Sequence, residues 1–158
     1  YGDEDNNYYL WGAMGGAALT GLGLAQAQPE KRIMVITGDG EQLMAFGSLP
    51  TIVVANPDNL DIIVLDNQHF GETGMQPSHT AGGIDLSAIA ASCGFSETRL
   101  LTSLDEVDTL CDDLKKRAKG PRLFVLKVKA DKLPRSLPPR DATFIKNRFR
   151  AHLGLHPC

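Results

Sequence analysis

At 158 residues and 17.1 kDa, the chain has the length of one domain, which is enough to bury a sizeable hydrophobic core without disulfides. Its 42% hydrophobic and 22% charged residues are near the globular average, which excludes wholesale disorder and a collagen-like repeat. Apolar runs fall short of the roughly 18 residues of a membrane span, the first residues are acidic where a signal peptide is basic, and the three cysteines lack a Cys-x-x-Cys spacing. We therefore expect a cytoplasmic protein without a zinc site.

Charge is distributed unevenly along the chain. Thirteen of the 16 Lys and Arg residues lie at or after Lys115, whereas only two of the 19 acidic residues do. A basic tail is compatible with nucleic-acid binding, but no nucleic-acid motif accompanies this one. We expect it instead to dock on an acidic partner surface or on the acidic body of the same chain.

Short apolar runs alternate with longer helical stretches. The runs read as strands at 33–37, 62–65 and 123–128, the first two apolar enough to be covered on both faces of a sheet. The helical patterns cover residues 14–28, 42–55, 86–93 and 104–119.

Individual residues mark the helix ends. Pro50 is expected to kink or shorten the second helix, Asp85 to cap the third, and Ser103 with Glu106 to form a capping box at the start of the fourth. Strands that alternate with helices predict an α/β fold with a doubly wound, mostly parallel sheet and helices on both faces. We place one domain at 1–130 and an extended, Pro-containing basic tail with a short terminal helix at 131–158.

Polar residues follow the first two predicted strands directly. Gly38-Asp39-Gly40 follows the first and Asp66-Asn67 follows the second, with 28 residues from Asp39 to Asn67. In a doubly wound sheet that separation is one β-loop-α-β step, so both side chains reach the same edge, where such sheets bind ligands. Carboxylate, amide and carbonyl oxygens suit Mg²⁺ completed by phosphate oxygens and water.

This pattern resembles the GDG-to-N signature of the thiamine diphosphate (ThDP) enzymes, and the segment 11–16 resembles their G-x-M-G segment. The resemblance implies that Asp39 and Asn67 bind Mg²⁺ through their side chains and His69 through its carbonyl. It also implies cofactor binding by Gly12, Ala13, Met14, Gly38, Gly40, Glu41, Phe70 and Gly71. Met14 would hold ThDP in its bent form, and Gly40 and Glu41 would line the diphosphate through backbone amides.

Residues 70–80 resemble a stretch of the separately encoded small subunits of sulfopyruvate decarboxylase, with phosphonopyruvate decarboxylase as a related enzyme. The resemblance implies decarboxylation of a 2-oxo acid. Two residues of this stretch are candidate catalytic groups, each with an alternative. His79 would contact substrate or relay a proton, or else fix the turn before it; Glu72 would face substrate or partner, or else be a solvated carboxylate.

ThDP activation also needs a glutamate that this family carries on a pyrimidine-binding domain, and 158 residues leave no room for one. The resemblance therefore implies a partner, alpha-type subunit that carries this glutamate, in a heterotetramer or larger assembly, with no nucleic acid and no membrane. Two alternatives remain open. The chain would be the subunit of an acetolactate-synthase-like carboligase, or a non-catalytic regulatory subunit with a degenerate ThDP fold.

Arginine, tryptophan and cysteine residues elsewhere in the chain have candidate roles. Arg135 and Arg140 would close over an anionic substrate, although surface arginines in a Pro-rich tail usually do less. Trp11 would stack on a ligand or, more in keeping with its neighbours, lie at an interface. Cys93 and Cys111 are expected to be small buried hydrophobic residues, since no basic cluster lies near them in the sequence.

Overall fold

The computed structural model describes residues 2–131, 134 and 136–156. Two compact units are formed: one by residues 14–130, the other by the described parts of 1–13 and 131–158. The first unit contains the sheet and the candidate site. The predicted tail begins where this unit ends, and the first thirteen residues belong to the same unit as the tail.

The first unit is built on four parallel strands. The described residues form the strands β1 (Ile33–Gly38), β2 (Leu60–Asp66), β3 (His69–Phe70), β4 (Gln76–Pro77), β5 (Glu97–Leu101) and β6 (Arg122–Lys127). The central sheet has the order β1-β2-β6-β5, and β3 and β4 form a small antiparallel pair. Every pairing in the central sheet is parallel, which confirms the predicted fold class. The register sets Gly38 beside Leu65 and Asp66 beside Lys127, so three strands end together.

Helices cover both faces of this sheet. In the first unit they are α1 (Ala17–Ala27), α2 (Asp39–Met44), α3 (Ser48–Ala55), α4 (Leu86–Cys93) and α5 (Leu104–Asp113). The helix α6 (Ala142–His152) belongs to the second unit. The predicted caps are present. Asp85 accepts hydrogen bonds from the backbone N–H groups of Ser87 and Ala88 at 2.8 and 3.1 Å, and Ser103 forms a capping box with Glu106.

The hydrophobic core lies on both sides of the sheet. The larger cluster packs α1, α3 and α4 against one face, and its fully buried members include Leu49, Ile52 and Ile62. The smaller cluster packs α5 on the opposite face around Phe124 and Leu110. Each such side chain contributes about 1.5–3 kcal/mol by leaving water, and together they fix the strand ends that carry the site.

The structure differs from the sequence-based expectations in several places. Strand β5 and the short pair β3 and β4 were not predicted, the helix expected at 42–55 is two helices separated at residues 45–47, and the helix expected to run to 119 ends at Asp113. Pro50 lies in the first turn of α3, where a missing N–H costs nothing. The expectation that Cys111 is buried is wrong, because α5 turns it to solvent; Cys93 is half-buried, and Cys158 lies outside the described residues.

The second unit joins the N-terminal segment to α6. Arg148 on α6 donates to Asp3 at 2.5 Å and to the backbone oxygen of Asn7 at 3.2 Å, and Tyr8 packs edge-on against Phe149. A basic residue of the tail thus pairs with acid of its own chain, one of the two predicted arrangements. Within the described ranges, no helix is both long and apolar enough to cross a membrane.

Candidate active site

Asp39 is presented by the junction of β1 and α2. Gly38 is still extended, with φ −102° and ψ 162°, and the helix begins at Asp39. Gly40 lies directly under the Phe70 ring, since a Cβ at this position would come within 2.8 Å of two ring carbons. Asp39 is only 2% exposed, so this turn places a carboxylate in a buried position at the carboxyl edge of the sheet.

Two hydroxyl groups from the loop after β4 bind this carboxylate. Ser78 donates a hydrogen bond to Oδ2 of Asp39, and the Thr80 hydroxyl lies 3.1 Å from the same oxygen. Thr80 also lies 2.7 Å from Oδ1 of Asp66. Both hydroxyl residues are at least 96% buried. Buried carboxylates need such donors because leaving them unpaired is costly.

The second carboxylate, Asp66, is neutralised by Lys127. The ammonium group lies 2.5 Å from Oδ2 of Asp66, which is 1% exposed, while Oδ1 accepts hydrogen bonds from Thr80 and from the backbone N–H of Gln68 at 3.0 Å. Thr80 has one hydroxyl proton, and its shorter contact is to Asp66. Thr80 therefore donates to Asp66 and lies beside Asp39, whose own donor is the hydroxyl of Ser78.

Lys127 also acts on the cap of α4. The hydroxyl of Ser87 first of all, then backbone N–H groups and the positive charge of Lys127, hold the pKa of Asp85 below its usual range. The Lys127 ammonium group thus forms an ion pair with Asp66 and also acts electrostatically on Asp85.

Asn67 follows Asp66 at the same edge. Its Oδ1 accepts the backbone N–H of His69 at 2.9 Å, and its backbone oxygen lies 2.9 Å from Nδ1 of His69. Gln68 between them has a φ of 63°, a left-handed conformation that a non-glycine residue adopts at some cost. These contacts fix the backbone of residues 67–69 directly after β2, where the Asn67 side chain lies.

The donor set at this edge fits a hard cation such as Mg²⁺. Oδ2 of Asp39 holds the two hydroxyl contacts, and the hydrogen bonds of the described residues leave Oδ1 unused. Together with the Asn67 amide and a backbone carbonyl, that oxygen makes a partial oxygen site. Among the described residues no three His, Cys, Asp or Glu side chains cluster to hold a metal, so an ion here depends on amide, carbonyl and external oxygens.

The Glu41 side chain reaches back to the start of α1. Its Oε1 accepts the backbone N–H groups of Gly15 and Ala17, both at 2.9 Å, and its Oε2 accepts the Thr37 hydroxyl at 2.5 Å. Met14, directly before Gly15, is 56% exposed. The carboxylate thus binds the segment after Met14, in addition to the backbone role expected for Glu41 from the sequence.

The remaining predicted residues lie at more exposed positions. His79 is exposed in a 3-10 turn and packs edge-on against Phe70 with ring centroids 6.3 Å apart. Gly71 and Glu72 lie in the exposed connection between β3 and β4. The structure therefore brings His79 to Phe70, and Phe70 to Gly40, while Glu72 lies at the tip of the hairpin.

Several predicted residues belong to the second unit or fall outside the described residues. Gly12, with a φ of 65°, and Ala13 belong to the N-terminal segment. Trp11 donates to the backbone oxygen of Pro139 at 2.9 Å, and the Arg140 guanidinium stacks 5.0 Å from its ring centroid. Arg140 is thus engaged within its own unit, and Arg135 lies outside the described residues.

Sequence reasoning did not identify the network around Asp39. Ser78, Thr80, Asp66 and Lys127 had no assigned role, although two signals were available. Asp66 and Lys127 each end a strand that is otherwise mainly apolar, and two neighbouring parallel strands that end in opposite charges predict a pair. The loop hydroxyls gave no signal of their own, since their approach to Asp39 depends on the path of the hairpin.

Comparison with known proteins places these features in context. Residues 3–128 match the family model for the C-terminal TPP-binding domain of thiamine pyrophosphate enzymes. Thiamine pyrophosphate (TPP) is another name for ThDP. A phosphonopyruvate decarboxylase of Streptomyces viridochromogenes is 37% identical over 99% of this chain and 39% of its own length. The beta subunit of sulfopyruvate decarboxylase of Methanocaldococcus jannaschii is 42% identical over 67% of this chain and 55% of its own length. The chain thus spans about half or less of these relatives.

The fold also has a solved counterpart. The thiamine diphosphate-dependent 4-hydroxybenzoylformate decarboxylase of Rhodococcus jostii superposes with a TM-score of 0.62 at 19% identity. The match covers 75% of this chain and 24% of that enzyme. At this identity the likeness concerns the fold.

Proposed function

Because this chain belongs to the thiamine pyrophosphate enzymes, as their C-terminal TPP-binding domain, we propose that it is the ThDP- and Mg²⁺-binding subunit of a cytoplasmic two-subunit 2-oxo acid decarboxylase. The observation that carries the proposal is the buried Asp39 carboxylate. Ser78 donates to one of its oxygens, the hydrogen bonds of the described residues leave the other unused, and Asn67 follows the adjacent strand at the same edge. This arrangement suits a cation that anchors a diphosphate.

The relatives suggest the substrate class and the need for a partner. They are named for phosphonopyruvate and sulfopyruvate, 2-oxo acids that carry a second anionic group, and one of them is a beta subunit. By analogy, the substrate of this chain is a small 2-oxo acid with a phosphonate or sulfonate group. A pyrimidine-binding subunit then supplies the activating glutamate, in a heterotetramer or larger assembly.

Each residue of the site has a defined task in this proposal. Asp39 and Asn67 hold Mg²⁺ through side-chain oxygens and His69 through its backbone carbonyl, while Gly38, Gly40 and Glu41 line the diphosphate with the backbone. Gly12, Ala13 and Met14 hold the aminopyrimidine end, and Phe70 and Gly71 form the wall beside Gly40. When bound, ThDP supplies the nucleophilic carbon and the electron sink for loss of carbon dioxide.

The exposed residues beyond the metal site face the incoming substrate. His79 is proposed to contact it from the rim, with Phe70 fixing the ring edge-on, and Glu72 at the hairpin tip faces substrate or partner. Replacing His79 with Gln keeps a polar side chain but removes the imidazole ring. We expect this variant to retain ThDP binding and to lower kcat/KM. An unchanged kcat/KM would assign His79 to the turn instead.

Asp39→Ala tests the proposal directly, in the full chain with its partner subunit. The variant should lose both Mg²⁺-dependent ThDP binding, measured by calorimetry, and decarboxylation, whereas the exposed control Asp108→Ala on α5 should keep both. Adding EDTA to the wild-type complex should release ThDP, since the metal carries most of the diphosphate contact. Full turnover in Asp39→Ala, or ThDP retained by metal-free protein, would refute the proposal.

The same assay separates the alternatives. Turnover that yields a ligated product from two carbonyl compounds would indicate the carboligase. A complex whose activity is unchanged by Asp39→Ala would indicate a regulatory subunit.

A further inference from the structure

Helix α1 lacks a cap of its own. Its N-cap residue is Gly16, which has no side chain, and the first turn contains no acidic residue. The N–H groups at a helix start have no partner within the helix and need an acceptor from elsewhere. Here the acceptor is Glu41, which lies 24 and 26 residues later in the chain, on α2.

The Glu41 carboxylate joins three segments with its two oxygens. One oxygen binds the amides of Gly15 and Ala17, and the other binds the Thr37 hydroxyl near the end of β1. Glu41 is half-buried, so these charge-assisted bonds are partly shielded from water. Its location on α2, two residues after Asp39, makes it the side chain through which the α1 start is tied to the metal-binding turn.

Close backbone packing supports the same connection. Gly15 has a φ of 90°, and a Cβ at this position would lie 3.4 Å from Cβ of Met44 and 3.5 Å from Ala45. The end of α2 therefore rests on the peptide that follows Met14. Glu41 in the first turn of α2 and Met44 at its last residue therefore both contact the segment before α1.

We infer that the Glu41 side chain is a positioning residue that sets the distance between Met14 and Asp39. The inference rests on the proposed function. Asp39 holds the diphosphate end of the cofactor and Met14 holds its bent middle, so both parts are bound together only if the two segments keep their spacing. The backbone N–H of Glu41 is unaffected by side-chain replacement, which separates this role from diphosphate binding.

The test compares two ligands in the assembled complex by calorimetry: ThDP with Mg²⁺, and inorganic pyrophosphate with Mg²⁺. Glu41→Ala should weaken ThDP binding about 10- to 100-fold, the range expected for losing charge-assisted hydrogen bonds. Pyrophosphate binding should change by no more than about twofold, because it does not reach Met14. Glu41→Gln keeps an acceptor oxygen and should restore most of the ThDP affinity.

Glu106→Ala is the matched control. Glu106 also binds two backbone N–H groups at a helix start, at 2.8 and 2.9 Å, but on α5. It should lower the unfolding temperature without changing the affinity for either ligand. Equal loss of ThDP and pyrophosphate binding in Glu41→Ala, or no loss of either, overturns the inference while leaving the proposed function intact. Wild-type complex that binds neither ligand overturns both.

Discussion

Replacing Thr80 with valine removes one hydroxyl group from the centre of the Asp39 network and preserves the shape of the side chain. That hydroxyl lies 2.7 Å from Asp66, 3.1 Å from Asp39 and 2.9 Å from Ser78, and Thr80 is 3% exposed. Since valine fills the same space, no cavity forms. The loss in folding stability is then that of one hydrogen bond to the buried Asp66 carboxylate. Such a bond contributes about 1.5–3 kcal/mol.

We therefore expect Thr80→Val to lower the free energy of unfolding by about 2 kcal/mol. For a chain of this size the unfolding temperature should fall by about 4–8 °C. Urea denaturation with an unchanged slope against denaturant would show that stability, and not the extent of unfolding, has changed.

Thr80→Ser is the matched control, because it keeps the hydroxyl and loses only a methyl group, at a cost of about 1 kcal/mol. The reasoning fails if Thr80→Val is as stable as the wild type. It fails equally if Thr80→Ser costs as much as Thr80→Val, since packing and not hydrogen bonding would then explain the loss.

Three further predictions concern the scaffold. Asp61→Ala removes the carboxylate that the buried Arg122 guanidinium binds at 2.6 and 3.0 Å and leaves, among the described residues, only the longer 3.8 Å ion pair with Glu97. The variant should lower the free energy of unfolding in urea by about 3–5 kcal/mol, against little change for the exposed Asp108→Ala. The pKa of Asp85 is lowered in the folded state, so its ionised side chain stabilises the fold fully above the unfolded pKa and loses this effect as pH falls through the folded pKa. The difference in free energy of unfolding between wild type and Asp85→Ala should therefore shrink in acid, and a constant difference would contradict this. Gly21→Ala places a Cβ into a methyl group of β1 and should cost about 1–3 kcal/mol, whereas Gly23→Ala, which meets nothing, should not destabilise.

The sequence predicted those elements whose signal is local. Strands β1, β2 and β6 are nearly continuous apolar runs, and the caps at Asp85 and Ser103 depend on residues a few positions apart. Strand β5 lacks such a signal because it is an edge strand with charges. Its Arg99 pairs with Glu97 and with Asp113 of α5, contacts that are decided by tertiary structure.

The site divides in the same way. The positions of Asp39 and Asn67 at one edge follow from the order of strands and the short connections between them. The Thr80 contacts and the reach of Glu41 to α1 depend on where a hairpin and a helix start come to lie, which no local pattern encodes. For this reason the sequence identified Asp39 and Asn67 as candidate ligands but did not identify the residues that contact them.

Native mass spectrometry of the assembly purified from its own source tests the central claim most directly. The account predicts this chain together with a second, different chain, with one ThDP and one Mg²⁺ for each pair. A homo-oligomer of this chain without ThDP would contradict it.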